Sequence, residues 1–250
     1  MLLRMMGGRA ERAVTLLMAW ITGFAVCDVV GAANAPTNVR IVLVGDSTVT
    51  DDAGWGNAFA ALLKPGAECV NLARGGQSSK SFYDGGRWRK ALELKPDYVL
   101  IQFGHNDQPG KGANRETDAK TTFREYLVRY IDEARSAGAQ PILVTSLVRR
   151  IFGPDGKLVP DLEPYAEAMR AVAADKQVPL VDLHARSKAL VERLGPEKVL
   201  PLGPAHPNRD GKIDGTHLSA EGAATFAPLV AAELWNAVPQ LRPYLPEPAH

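Results

Sequence analysis

Short apolar runs, each ending at a glycine or a polar turn and each followed by residues at helical spacing, recur from Arg40 to Trp235. That alternation limits the chain to few architectures. A strand buried on both faces has no solvent side, so it reads as a continuous apolar run rather than an apolar/polar alternation. Strands separated by helix-length segments need crossover connections, which make a parallel sheet with helices on both faces. The runs Arg40–Val44, Cys69–Leu72, Asp97–Phe103, Pro141–Ser146 and Pro179–Leu183 predict five strands. Helices are predicted at Trp55–Leu63, Thr117–Ala137, Glu163–Lys176 and Ser219–Trp235, with Thr117 or Thr121 starting the second, Gly138 stopping it and Ser219 capping the last. Gly153–Lys157 reads as an exposed turn or hairpin tip. The periodic patterns delimit one domain over residues 36–240, followed by an irregular, proline-rich tail over 241–250.

The first 35 residues follow a different logic. Arg4, Arg9 and Arg12 precede an apolar stretch from Val14 to Val26, and small residues follow at Gly31–Ala35. This order predicts a secretory signal peptide cut between Ala32 and Ala35, and hence a secreted or periplasmic protein. An N-terminal anchor helix is the competing reading, and the stretch is short for a membrane span. Removing residues 1–35 takes away three basic and two acidic residues and one of the two cysteines. What remains has no net charge, so no global field draws it to nucleic acid. It also has no intramolecular disulfide, because Cys69 stands alone. A monomer with no membrane attachment is expected.

Ligands of open α/β sheets bind beyond the carboxyl ends of the strands. Four segments there carry candidate chemistry. Gly45-Asp46-Ser47-Thr48 presents a serine on the turn after the first strand. Gly75-Gly76-Gln77-Ser78 follows the second, where paired glycines let the backbone approach a ligand. Gly104-His105-Asn106-Asp107 follows the third, and an asparagine amide facing a cleft is a good oxyanion donor. Asp214-Gly215-Thr216-His217 precedes the last helix, with a histidine able to act as general base and a carboxylate three residues away to orient it. Each alone reads more readily as a turn or a cap; the weight lies in their conjunction.

In that order the four segments resemble the four blocks of the SGNH (GDSL-type) hydrolase superfamily. The resemblance runs from about residue 40 to about residue 237. It implies the flavodoxin-like SGNH fold, a three-layer α/β/α sandwich on a central, mainly five-stranded parallel sheet. A narrower resemblance is to rhamnogalacturonan acetylesterases. It is carried by Gly54-Trp55-Gly56, by the stretch from Asn71 to Phe82, and by Phe103–Asp107. By these resemblances Ser47 is the nucleophile, His217 its base and Asp214 the orienting acid. The Ser47 N–H, the Gly76 N–H and the Asn106 side chain form the oxyanion hole, with Gly75 as the alternative glycine. The reaction is removal of acetyl groups from pectic polysaccharide, with no metal and no cofactor. Cations near the site would suit an anionic substrate, and Arg74 and Arg149 are candidates, as are Lys80, Arg87, Arg89 and Arg150, with Trp55 as a sugar-stacking surface. The competing functions are a broad short-chain or lipid esterase or thioesterase on the same fold, a non-catalytic carbohydrate-binding protein, and a metal-dependent phosphoesterase built on Asp46 and His105.

Overall fold

The computed structural model describes residues 38–248. The signal peptide expected at residues 1–35 lies outside them. The five strands are β1 (Val39–Gly45), β2 (Ala67–Asn71), β3 (Tyr98–Gln102), β4 (Gln140–Val144) and β5 (Leu180–Val181), and they form one sheet in the order β2-β1-β3-β4-β5. Every pairing is parallel. The chain reverses its direction of travel across the sheet between β2 and β3, on either side of β1. A crevice opens at such a switch point, at the carboxyl ends of the strands.

Side chains alternate between the two faces. Ile41, Leu43, Leu100, Ile142 and Val144 point to one layer, where they meet Phe59 of α1 (Gly56–Leu62), Val191 of α6 (Leu183–Lys198) and Phe226, Val230 and Leu234 of α7 (Ala220–Ala237). Val42, Val44, Val99, Ile101 and Leu143 point to the other. There they pack on α2 (Ser79–Asp84), α3 (Arg87–Glu93), α4 (Thr122–Ser136) and α5 (Glu163–Lys176), mainly through Phe82, Trp88, Tyr130 and Met169. The result is the three-layer sandwich, with an apolar core on each side of the sheet.

Two local expectations change, and one open alternative is decided. Residues 79–93, unassigned from the sequence, form α2 and α3, because Ser78 caps α2 by accepting from the Ser81 N–H while Phe82 and Trp88 bury against the sheet. Of the two starts expected for the long helix, Thr121 is the one found: α4 begins at Thr122 with Thr121 at the cap position, because the Thr117 hydroxyl is spent on Asp107. The tail is ordered beyond residue 240: Pro239–Tyr244 is a 3₁₀ helix whose Leu241 and Tyr244, with Leu245, complete the α7 side of the core. Proline suits the start of such a turn because it has no N–H to satisfy there. Gly153–Lys157 is an exposed turn closed by an isolated bridge between Phe152 and Leu158. Among the described residues no helix is long and apolar enough to cross a membrane.

Candidate active site

β1 ends at Gly45, where the chain must turn hard under the neighbouring strand. A Cβ on Gly45 would sit 2.8 Å from the Gln102 carbonyl oxygen and 2.6 Å from Val49 Cγ2, so only glycine fits. The following turn is stitched by Asp46, whose Oδ1 accepts from the Thr48 N–H at 2.9 Å and the Thr48 hydroxyl at 2.8 Å. Ser47 is thereby held at the lip of the crevice, half-buried.

The loop before α7 arrives from 170 residues away. The Leu218 N–H donates to the Ala53 carbonyl at 2.9 Å and ties that loop to the serine turn. His217 Nε2 lies 2.9 Å from Ser47 Oγ, and its Nδ1 lies 2.7 Å from Asp214 Oδ2. Asp214 Oδ1 accepts from the backbone N–H groups of Thr216 at 2.7 Å and His217 at 3.0 Å. Burial works against charge on Asp214. Its bonds from the His217 ring and from the two N–H groups outweigh that, and hold the carboxyl below its ordinary range. The network assigns the neutral tautomer with Nδ1–H donating to Asp214. Nε2 is then free to accept the serine proton.

The glycine loop after β2 is drawn against the same turn by the Arg74 N–H, which donates to the Gly45 carbonyl at 3.0 Å. A Cβ on Gly75 would lie 3.8 Å from Ser47 Cβ. Gly76 has φ +76°, left-handed backbone that a side chain would strain. Asn106, after β3, donates from Nδ2 to the Gln77 carbonyl at 3.0 Å, which joins the asparagine turn to the glycine loop. An amide nitrogen has two hydrogens. One is used here, and the other remains for a ligand.

Beneath these groups lies a buried polar layer absent from the sequence reading. The Trp55 indole N–H donates to Gln102 Oε1 at 2.9 Å, and Gln102 Nε2 donates to Thr48 Oγ1 at 2.7 Å. Asp46 Oδ2 faces His105 Nδ1 at 3.4 Å. Burial opposes charge on Asp46, but the imidazole beside it and the two bonds from Thr48 keep its carboxyl below the usual range. Asp107 accepts from the Ser79 N–H and hydroxyl and from the Thr117 hydroxyl, and burial still pushes it up to about 7. The sequence signal for this layer was adjacency, since Asp46 precedes Ser47 while His105 and Asp107 flank Asn106.

Three expected substrate contacts do not stand, Arg150 among them: it is buried and donates to the Asp214 and His217 carbonyls. Trp55 is 0% exposed, bonded to Gln102 and packed edge-on against Phe59, so it is core rather than a sugar platform. Arg149 is turned into the protein, bonded to Gln108 Oε1 at 2.7 Å, to Asp161 and to the His105 carbonyl. Arg74 is exposed and lines the cleft of about 530 Å³ that contains Ser47, together with Thr50, Asp51, Asp52, Ala73 and Gly75. A second cavity of about 570 Å³, between α4 and α5 and lined by Gln108, Lys120 and Tyr165, contains none of the four segments singled out from the sequence. The Cys69 thiol is pushed up to about 12 by burial and the Asp51 charge, which makes it a poor nucleophile.

The model of the GDSL-like lipase/acylhydrolase family matches residues 43–225, which holds all four segments. The chain belongs to this family. This GDSL-like acylhydrolase is a carboxylic ester hydrolase. It is 41% identical to rhamnogalacturonan acetylesterase RhgT of Bacillus subtilis over 208 residues, 77% of this chain and 88% of that protein. The structure of Bacillus subtilis YxiM superposes with a TM-score of 0.67 and 29% identity, over 80% of this chain and 57% of that one; this chain spans little more than half of it. A variant of Axe2, an acetyl-xylooligosaccharide esterase of Geobacillus, superposes with a TM-score of 0.62 at 18% identity, over 80% of this chain and 96% of that one, a likeness of fold.

Proposed function

We propose that this hydrolase is an exported acetylesterase acting on acetylated pectic polysaccharide, rhamnogalacturonan in particular. The observation that carries the catalytic reading is the continuous relay from Ser47 Oγ through His217 to Asp214, with spacings of 2.9 and 2.7 Å. Ser47 Oγ attacks the acetyl carbonyl carbon as its proton passes to His217 Nε2. The carbonyl oxygen becomes an oxyanion, stabilised by the N–H groups of Ser47 and Gly76 and by the second amide hydrogen of Asn106. Collapse breaks the bond to the sugar oxygen, which leaves with the proton from His217. Water then attacks the acetyl-serine, its proton going to His217, and acetate departs as Ser47 regains its hydroxyl. Asp214 keeps the imidazole oriented and stabilises its charged form throughout.

The pectic reading is supported by the 41% identity to RhgT and by Arg74, an exposed guanidinium on the Ser47 cleft that can pair with a uronate carboxylate. Export rests on the leader-like residues 1–35. A second reading, a general short-chain esterase, is favoured by Asp51 and Asp52, whose carboxylates line the same cleft and repel an anionic chain. Acetate release from acetylated pectin, acetylated xylan and an aryl acetate separates the two. Preference for pectin, with Arg74→Ala raising KM for pectin alone, supports the first. Equal turnover on all three establishes the second. In either case Ser47→Ala abolishes release, and wild-type turnover in that variant would remove Ser47 from the chemistry.

A further inference from the structure

Arg150 is 6% exposed and forms no ion pair among the described residues, yet it lies directly behind the loop that carries the acid and the base. Its Nη2 donates to the carbonyl oxygens of both Asp214 and His217. Its own backbone N–H donates to the Gly215 carbonyl at 2.7 Å. Three bonds from one residue therefore hold the four-residue loop at both ends and in the middle. The surrounding backbone closes tightly on the guanidinium: a Cβ on Gly203 would lie 3.0 Å from Arg150 Nη2 and 2.2 Å from the Asp214 carbonyl oxygen.

The arrangement is costly. Nε and Nη1 are buried without a hydrogen-bond partner among the described residues, and burial pushes the guanidinium down to about 10. A buried cation without an ion-pair partner destabilises a fold, and an apolar side chain of similar volume would pack there at less cost. What the guanidinium supplies, and an apolar side chain cannot, is one rigidly held nitrogen whose two hydrogens serve the two carbonyls. Its neighbour Arg149 turns the other way, to the His105 carbonyl just before Asn106. The two arginines after β4 thus reach opposite sides of the crevice.

We propose that Arg150 is a positioning residue, which fixes the Asp214–His217 loop so that His217 Nε2 stays within hydrogen-bond reach of Ser47. This inference rests on the esterase reading above. A loosened loop leaves substrate contacts intact and misplaces the base, so the effect falls on kcat and not on KM. Misplacement of a catalytic group by about 1 Å can cost on the order of 10²-fold in rate.

The test uses the full chain on an aryl acetate, with labelling of Ser47 by a phosphonate probe as a second readout. Arg150→Met is expected to lower kcat about 10- to 100-fold with KM within about twofold, and to slow labelling in step. Arg150→Lys keeps the charge but replaces the planar, rigidly held Nη2 with a rotating ammonium on a shorter stem, and a fall of roughly three- to tenfold is expected. Circular dichroism reports whether each variant is folded. If Arg150→Met does not fold, Arg150→Lys decides alone. Wild-type kcat in Arg150→Lys, or KM rising as kcat falls, overturns the proposal. Absence of labelling and turnover in the unaltered protein would instead sink the esterase reading itself.

Discussion

Asp214 and Asp107 occupy comparable places, one three residues from His217 and the other next to Asn106, and each accepts from three donors. Their charges are driven in opposite directions. Asp214 sits at the crevice edge, where its bonds and the His217 ring outweigh burial and hold it ionised. Asp107 is 0% exposed, and the same number of donors fails against burial and the nearby Asp46 charge, so it rises to about 7. Asp46, equally buried, stays low because an imidazole faces it. Donor count therefore does not decide ionisation here; the depth of burial and the group that faces the carboxyl do. The crevice edge keeps a permanent anion for the chemistry. The layer beneath holds the turns together and keeps one proton near neutrality.

The largest effect that would sharpen this contrast is on Asp214. Asp214→Asn preserves shape but removes the anion, and kcat is expected to fall about 10³- to 10⁴-fold. A loss under tenfold in steady-state kinetics would show that the anion is not what the edge supplies. Asn106→Ala tests the opposite wall of the crevice. It is expected to lower kcat about 10²- to 10³-fold with little change in thermal stability. Unchanged kcat would leave Asn106 as a turn residue alone.

The smallest effect probes the buried layer through pH. Asp107 has a folded pKa above its ordinary value, so the folded state binds more protons than the unfolded one between about 4 and about 7. Stability from this group therefore falls as pH rises through that window, with a slope of at most about 1.4 kcal/mol per pH unit. Asp214 works the other way, because its lowered pKa makes its contribution disappear as pH falls below the ordinary carboxylate range. Denaturant titrations across pH 4 to 7 should therefore show the stability of the wild type falling relative to that of Asp107→Asn as pH rises, over a range set by the shift itself. Parallel curves would place the Asp107 pKa near its ordinary value and undo the comparison.

Much of the site was legible because its residues fall where α/β topology puts ligands. Ser47, the glycine pair and Asn106 each follow an apolar run, and Asp214 and His217 precede the last amphipathic stretch. Trp55 and Arg149 depart from the expected substrate roles because residue type says what a side chain can bind and not which way it faces. A tryptophan suits a sugar ring or a core equally well, and Trp55 went to the core once Gln102 supplied its acceptor. An arginine suits a uronate or a carbonyl, and Arg149 found Asp161, Gln108 and the His105 carbonyl first. The tail reads as irregular in the sequence because proline breaks periodicity, and periodicity does not register Leu241 and Leu245 closing a core from one turn.

Local sequence alone determined the parallel sheet, its two helical layers and the residue types at each strand end, because burial on both faces and the turn requirements of glycine act over a few residues. Tertiary structure alone decided the 2.9 Å at which His217 meets Ser47 across 170 residues, that Asp107 rises while Asp46 and Asp214 fall, and that Arg150 lies behind the base. Those outcomes depend on distance and on access to solvent, and neither exists until the layers have packed.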